Sequence, residues 1–358
     1  MSRLIRAVID TNALRHNLSV IRARARGAKV IAVVKANAYG HGLVSAALAL
    51  DGADAYAVAR LEEGLALRAA GITSPILLLQ GVFSAAQLED AAHERLDLVV
   101  HDASQIELLE RAGGADRFAL WIKIDSGMHR LGFAPQQFAA AHERLKRLVP
   151  APRELRLVTH LACANERDEP VTRAQLQRFR DATRGLDYEV SIANSAGLFG
   201  DVALGCHWVR PGIALYGASP FADCSAASLG LQPVMTLTSS VIALRRVSRG
   251  EAVGYGGSWR APRESLVAIV AAGYGDGVHR SFASGTPVLV SGQRAALAGR
   301  VSMDMLAVDV TTLADVRVGA LVVLWGAGLP VEEVAQHAGT IAYELLCSVS
   351  QRVPLELK

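Results

Sequence analysis

The stretch "AVVKANAYGHG", residues 32–42, continues the apolar run Val30-Ile31 and then interrupts it with a lysine. Val30 to Val34 read as a buried strand. Lys35 stands at its end, with Tyr39, Gly40 and Gly42 close behind. Further strand-like runs lie near 54–58, 75–79, 96–100, 118–124, 154–159, 188–192 and 206–209, with helix-like segments at 42–50, 60–70, 84–92, 102–112, 135–148 and 171–184. Ahead of them, Leu14, Leu18 and Ile21 fall at helical spacing behind a cap at Asp10 or Thr11. Such alternation implies βα units and a parallel sheet. Eight strands fit a closed (β/α)8 barrel of about 225 residues, here 10–228. A doubly wound open sheet is the alternative, but it would place phosphate-binding glycines in the first turn, where this chain places lysine.

Beyond residue 228 the pattern changes. Leu237 to Val247, Leu266 to Ala271, Pro287 to Val290 and Met305 to Val310 are β-rich and separated by Gly, Pro and Ser. Helical patterns return only near 331–338 and 340–348. The chain therefore reads as an α/β barrel followed by a mainly β domain, 229–358. The strand-like segment 3–9 lies outside the eight and is expected to join the second domain.

At 358 residues the chain exceeds one average domain. Its 51% hydrophobic and 20% charged residues are those of an ordinary globular protein. The net charge of +3 is small, and the positive residues alternate with acids. Arg22, Arg24 and Arg26 read as the exposed end of a helix, so nucleic acid is not an expected partner. The N-terminus lacks a secretory pattern and no apolar run is long enough to span a bilayer, so neither export nor membrane insertion is expected. Cys163, Cys206, Cys224 and Cys347 have no paired spacing and read as free thiols of a reducing cytoplasm. His160 with Cys163, and Cys206 with His207, are too sparse for a metal site, and no metal is expected.

Barrel active sites lie where the strands end and the βα loops begin. This sequence places there Lys35, Arg60, Lys123, Asp125, Arg130, His160, Asn194, Ser195 and Arg210. A lone lysine at a strand end is most simply a surface residue with a snorkelling stem. A rim presenting Lys, Arg, His and Ser together reads differently. A partly buried lysine has a lowered pKa and can form a Schiff base with an aldehyde. Asn194-Ser195-Ala196-Gly197 and Arg210-Pro211-Gly212-Ile213 offer a hydroxyl and backbone amides to a phosphate. An aldehyde and a phosphate together suggest pyridoxal 5'-phosphate (PLP).

The opening stretch resembles the cofactor-lysine signature of bacterial alanine racemases. The similarity extends through "KIDSGMHRLGF" (123–133), "THLACAN" (159–165), "NSAG" (194–197), "VRPGIALYG" (209–217), "VGYGGSW" (253–259), "AAGYGDG" (271–277), "AGRVSMDM" (298–305) and "YELLCSVSQRVP" (343–354). The resemblance implies a PLP barrel followed by a β domain, in a cytoplasmic head-to-tail homodimer that interconverts L- and D-alanine and supplies a peptidoglycan precursor. The chain length is most like the catabolic branch.

It further implies that Lys35 holds PLP and is the base for D-alanine, and that Tyr255 of the partner subunit is the base for L-alanine. Two bases on opposite faces let a proton leave one side of the α-carbon and return to the other. Tyr39, Ser195, Gly212, Ile213 and Tyr343 would contact the phosphate, with Asn194 adjacent. Arg210 would face the pyridine nitrogen and His160 would pack on the ring. Arg130 would reach the phenolic oxygen and the substrate carboxylate. Met303, with Asp304 beside it, would bound the substrate from the second subunit. Tyr274 would stand at the entrance opposite Tyr343. Position 302 is Ser where some relatives carry Cys, a difference expected to alter sensitivity to thiol-directed inhibitors rather than the chemistry.

Taken singly, these residues have plainer readings: Tyr255 a loop aromatic, Arg210 a surface arginine before a Pro-Gly turn, His160 a satisfied core histidine, Tyr39 and Tyr343 amphipathic aromatics, and Met303 a gap-filler. Lys123 lies in an apolar strand where an ammonium is costly unless paired or neutralised. A carbamate on Lys123 is expected by resemblance, with pairing to Asp125 as the alternative. Competing functions are a PLP racemase of larger amino acids, a barrel-type decarboxylase and a non-catalytic PLP carrier. The last would have no use for the domain that bears Tyr255.

Overall fold

The computed structural model describes residues 4–166, 170–200, 202 and 205–358. After β1 (Arg6–Ile9), eight strands follow: β2 (Lys29–Val33), β3 (Ala55–Val58), β4 (Ile76–Leu78), β5 (Leu96–Val100), β6 (Ala119–Lys123), β7 (Glu154–Val158), β8 (Val190–Asn194) and β9 (Trp208–Arg210). Each pairs in parallel with the next, and β9 returns to β2 with Lys29 opposite Trp208 and Val30 opposite Val209. The sheet is thus a closed barrel, as the alternation of apolar runs predicts. Ile31, Leu77, Leu98, Leu120 and Ile122 are buried in it.

The surrounding helices start where the sequence supplies caps. Asp10, rather than Thr11, caps the helix Thr11–Ala25 by accepting from the amides of Asn12 and Ala13. That helix buries Leu14, Leu18 and Ile21. Arg22 and Arg24 lie in its last turn and are exposed. Ser84 and Asp102 cap the helices Ala85–His93 and Ala103–Ala112 in the same manner. No described helix is long and apolar enough to cross a membrane.

The remainder is β-rich: β10 (Met235–Val247), β11 (Ala252–Val253), β12 (Trp259–Arg260), β13 (Ser265–Val270), β14 (Pro287–Val290), β15 (Gln293–Leu297), β16 (Leu306–Asp309), β17 (Leu321–Trp325) and β18 (Leu355–Leu357). The long β10 pairs with β17 through its first half and β13 through its second. The ring β10-β13-β16-β15-β14-β17 thereby closes on itself. β1 lies antiparallel to β10, with Arg6 opposite Thr238, and parallel to β18, with Ala7 opposite Leu355. The N-terminal strand does join this second sheet, although Arg3, within the expected segment, lies outside the described residues. The short β11 and β12, and β15, β17 and β18, were not among the expected strands.

The two halves meet at Gly40. Its φ is +83°, and a Cβ there would lie 2.2 Å from the carbonyl oxygen of Leu346 in the helix Ala342–Ser348. Any side chain would push that helix off the barrel. The opposite, N-terminal end of the barrel is sealed by Arg156, whose guanidinium stacks over Trp121 and Trp208, with centroid distances of 5.1 and 5.0 Å. Arg156 is paired there with Glu154 and Glu189.

Candidate active site

A cavity of about 670 Å3 opens at the C-terminal ends of the barrel strands. Lys35, Tyr39, Lys123, Arg130, His160, Asn194, Ser195, Arg210, Gly212 and Ile213 line it together with Tyr343 from the helix Ala342–Ser348 of the second half, so these expected residues converge on one space. Arg60 and Asp125 do not line it. Arg60 is an exposed residue preceding the helix Leu61–Ala69. Asp125 turns its carboxylate into its own loop, accepting from the amides of Gly127, Met128 and His129 at 3.0 Å each. Lys123 is the last residue of β6, at the strand end.

Four cations face this cavity, and their mutual influence is strong. Burial lowers the pKa of Lys35, and the neighbouring charge of Arg130 lowers it further, while Cys347 and Glu63 oppose the shift. Lys123 is pushed down to about 8, first by burial and then by Arg210, Arg130 and Lys35. His160 is pushed down to about 2 by burial and the same cations, which keeps it neutral. Arg210 is 5% exposed and lowered to about 10 by burial, so it stays charged. It donates to Ser191 Oγ and to the Thr159 carbonyl, each at 2.6 Å. A guanidinium can only donate, so His160 Nδ1, 3.3 Å away, is an acceptor. Ser191 in turn donates to the Trp208 carbonyl at 2.9 Å. Ser191 and Thr159 were not among the expected site residues, since a serine inside a strand has no local signature of such a role.

One rim is built for an anion with oxygens. Tyr39 stacks on Tyr216 with centroids 4.7 Å apart and lies 6.0 Å from Tyr343. A Cβ on Gly212 would fall 2.3 Å from the Tyr39 hydroxyl, so only glycine leaves this cradle open. Ser195 Oγ accepts from the amides of Gly212 at 2.9 Å and Ala214 at 3.3 Å, tying the end of β8 to the end of β9. These hydroxyls and the cationic lining fit a phosphate, and the buried Lys35 fits an aldehyde partner. The residues present therefore suit PLP.

The backbone behind Lys35 is unusual. Ala36, Asn37, Ala38 and Tyr39 have φ of 53–54°, a left-handed turn of four residues, none of them glycine. Each such residue costs roughly 1–2 kcal/mol relative to right-handed backbone. Glu63 closes the start of this turn, accepting from the Ala36 amide at 2.7 Å. The sequence reading included neither Glu63 nor the handedness of the turn.

Tyr255, Met303, Asp304 and Tyr274 are placed differently. Tyr255 is 67% exposed, in the turn Tyr255–Gly257 of the β-rich half, and Met303 is 54% exposed. Asp304 is exposed and paired with Arg352, and Tyr274 is exposed at the start of the turn Tyr274–Asp276. None of them lines the cavity of its own chain.

Family models described as "Alanine racemase, N-terminal domain" and "Alanine racemase, C-terminal domain" match residues 9–220 and 234–357. The chain belongs to the alanine racemase family. Among curated alanine racemases, that of Vibrio parahaemolyticus is 49% identical over 98% of both chains, and that of Shewanella sediminis is 48% identical over 97% of both. The solved biosynthetic alanine racemase of Pseudomonas aeruginosa superposes with a TM-score of 0.97 at 49% identity, with both chains fully covered. The alanine racemase of Acinetobacter baumannii gives 0.94 at 40% identity, also with full coverage. That the Pseudomonas enzyme is biosynthetic lends no support to the catabolic branch expected from chain length. As in other alanine racemase family members, a β-rich half follows the barrel.

Proposed function

We propose that this protein interconverts L- and D-alanine with PLP held in the barrel cavity, as a head-to-tail dimer whose sites are shared between subunits. The observation that carries the reading is the convergence of Lys35, Arg130, His160 and Arg210 on one cavity, in a chain with the alanine racemase architecture end to end. The functional division is a cofactor-binding unit, 10–228, and a base-bearing unit, 229–358, to which β1 is added.

Lys35 would hold the cofactor through its ε-amine, and Tyr39, Ser195, Gly212, Ile213 and Tyr343 would hold the phosphate. Asn194 caps the helix Ser195–Phe199 by accepting from the Gly197 amide at 2.9 Å and so fixes that rim. Bound there, PLP supplies an electron sink that stabilises negative charge at the α-carbon of an amino acid. Arg210, charged and unable to give up its proton, would face the pyridine nitrogen, leave it unprotonated and so limit that sink. Neutral His160 would pack on the cofactor ring. Arg130 binds the substrate carboxylate.

Lys35, with its lowered pKa, moves the proton on one face of the α-carbon. Tyr255 of the partner subunit moves it on the other. Exposed in its own chain, Tyr255 is free to enter a neighbour's cavity together with Met303 and Asp304. Tyr274 would narrow the entrance, which suits a substrate as small as alanine. The four free cysteines accord with a reducing cytoplasm.

Lys123 is proposed to be a carbamate that orients Arg130. Its lowered pKa makes the neutral amine accessible, and Asp125 is engaged elsewhere. The Nζ lone pair attacks the carbon of carbon dioxide, a C=O pair moves to oxygen, and an N–H proton leaves to solvent. The resulting anion accepts from Arg130. A signal from 13C-labelled carbon dioxide should appear in the wild type and vanish in Lys123→Ala, and a small carboxylic acid should partly restore activity to that variant. A fully active Lys123→Ala enzyme without the signal in the wild type would reject the carbamate.

The deciding experiment is an assay of loss of optical activity from both alanine enantiomers, with serine and lysine alongside. Turnover of alanine from either side supports the reading. Inert alanine with active lysine would replace it with a racemase of larger amino acids.

A further inference from the structure

Four consecutive non-glycine residues in left-handed backbone persist only where their surroundings over-determine them. The turn 36–39 is held from three directions. At its start, Glu63 uses one oxygen on the Ala36 amide and the other on the amides of Ala59 and Arg60, at 2.9 and 3.1 Å. In its middle, Asn37 Oδ1 accepts from the Leu43 amide at 2.8 Å. At its end stands His41, fully buried and outside the cavity.

His41 Nδ1 lies 3.0 Å from the Ala38 carbonyl and 2.9 Å from the Tyr39 carbonyl. Both partners are acceptors, so Nδ1 carries the proton and donates to the two carbonyls together. Nε2 then bears the lone pair, buried and without a partner. A histidine used for packing alone would not fix its tautomer in this way, and leaving Nε2 unsatisfied has a cost. The ring also stacks on Tyr216 with centroids 4.6 Å apart, and Tyr39 stacks on the same tyrosine at 4.7 Å. Tyr216 donates to the Val33 carbonyl at 2.9 Å, two residues before Lys35.

We infer that His41 is a positioning residue: its Nδ1–H holds the left-handed turn and, through Tyr216, aims Tyr39 at the Gly212 cradle and fixes the backbone from which Lys35 projects. The inference rests on the proposed PLP reading for its consequence, but not for its structural content. Neutrality of the ring agrees with this role, since burial pushes His41 down to about 4.

Two substitutions separate the donor from the ring. His41→Phe keeps an aromatic on Tyr216 and removes the donor. His41→Asn places an amide N–H near the Nδ1 position and removes the ring. Hydrogen exchange of the amides of 36–43 in the cofactor-stripped full chain reads the turn directly. PLP titration by absorbance then reads the cradle.

In His41→Phe, exchange in this segment should accelerate about tenfold or more while peptides from β5 and β6 stay unchanged. PLP should bind about tenfold more weakly, and His41→Asn should recover most of both effects. Wild-type exchange in His41→Phe, or equal loosening in the two variants, would overturn the donor role. Should His41→Phe not fold, Glu63→Ala releases the turn from its other end and carries the same exchange expectation. Alanine racemisation by the unsubstituted chain tests the underlying function separately.

Discussion

The mouth of the barrel and the Tyr255 face of the β-rich half differ in how much chemistry a single chain can complete. At the mouth, strand ends from all round a closed sheet deliver four cations, a neutral histidine and several hydroxyls into one enclosed space. Burial there alters what each group can do, lowering Lys35 and Lys123 and neutralising His160. On the other face, Tyr255, Met303, Asp304 and Tyr274 stand in solvent around turns and line no part of that cavity in their own chain. A barrel assembles its rim by closing on itself, whereas turn residues on a second domain acquire a site only by meeting another surface. The difference teaches that one chain's fold brings most of the expected residues into a single cavity, whereas on the proposed function Tyr255, Met303, Asp304 and Tyr274 would act only where two chains meet.

The largest effect should come from removing the group the barrel alone supplies. Lys35→Ala should lower racemisation by a factor of about a thousand or more, since it removes both attachment and a base. In the wild type, borohydride in the presence of PLP should place its label on Lys35. A label on another lysine would move the centre elsewhere. Tyr255→Phe comes next, with a loss of about 10²–10⁴. Mixing these two inactive chains tests the comparison itself. Random pairing in a head-to-tail dimer gives half heterodimers with one intact site of two, hence about a quarter of wild-type activity. No recovery despite proven heterodimers would mean that both halves act within one chain.

A smaller effect separates buried from exposed groups by pH. His41 is held at about 4, below the ordinary histidine value of ~6.5. Between these values the unfolded chain binds a proton that the folded chain refuses. The His41 contribution is therefore present above pH ~6.5 and is lost as pH falls towards 4, on the order of 3 kcal/mol in all. Urea unfolding across this range should show a shallower decline for His41→Asn than for the wild type. Parallel curves would mean that His41 does not titrate as its burial implies.

The smallest effect belongs to the sealed end. Arg156→Ala removes the stack on Trp121 and Trp208 and the pairs with Glu154 and Glu189. It should cost about 1–2 kcal/mol of stability and leave kcat within about twofold. A large fall in kcat without a fall in stability would show that the two ends of the barrel are coupled.

Much of this was legible in the chain before folding. All eight barrel strands lie within two residues of their apolar runs, because parallel strands covered on both faces are predominantly apolar. The cavity residues were legible as polar groups terminating those runs. β15 and β18 were harder, since Gln293, Arg294 and Glu356 break their apolar pattern. β17 was different: Leu321–Trp325 is continuously apolar, and the signal was there to be read.

What the sequence by itself determined is the architecture and the inventory: a barrel, a β-rich half, and a lysine, arginines, a histidine and a serine at strand ends. Periodicity and strand termination are local properties, and they survive in a one-dimensional record. Only the tertiary structure decided the protonation and aim of those groups. Lys123 falls to about 8 because burial strips its charge of water and because Arg210, Arg130 and Lys35 meet it there, Arg210 and Lys35 from the ends of other strands. The left-handed turn behind Lys35 exists because Glu63, His41 and the helix over Gly40 hold it. Charge, desolvation and backbone strain depend on distance in space, and neighbours in sequence do not fix that distance.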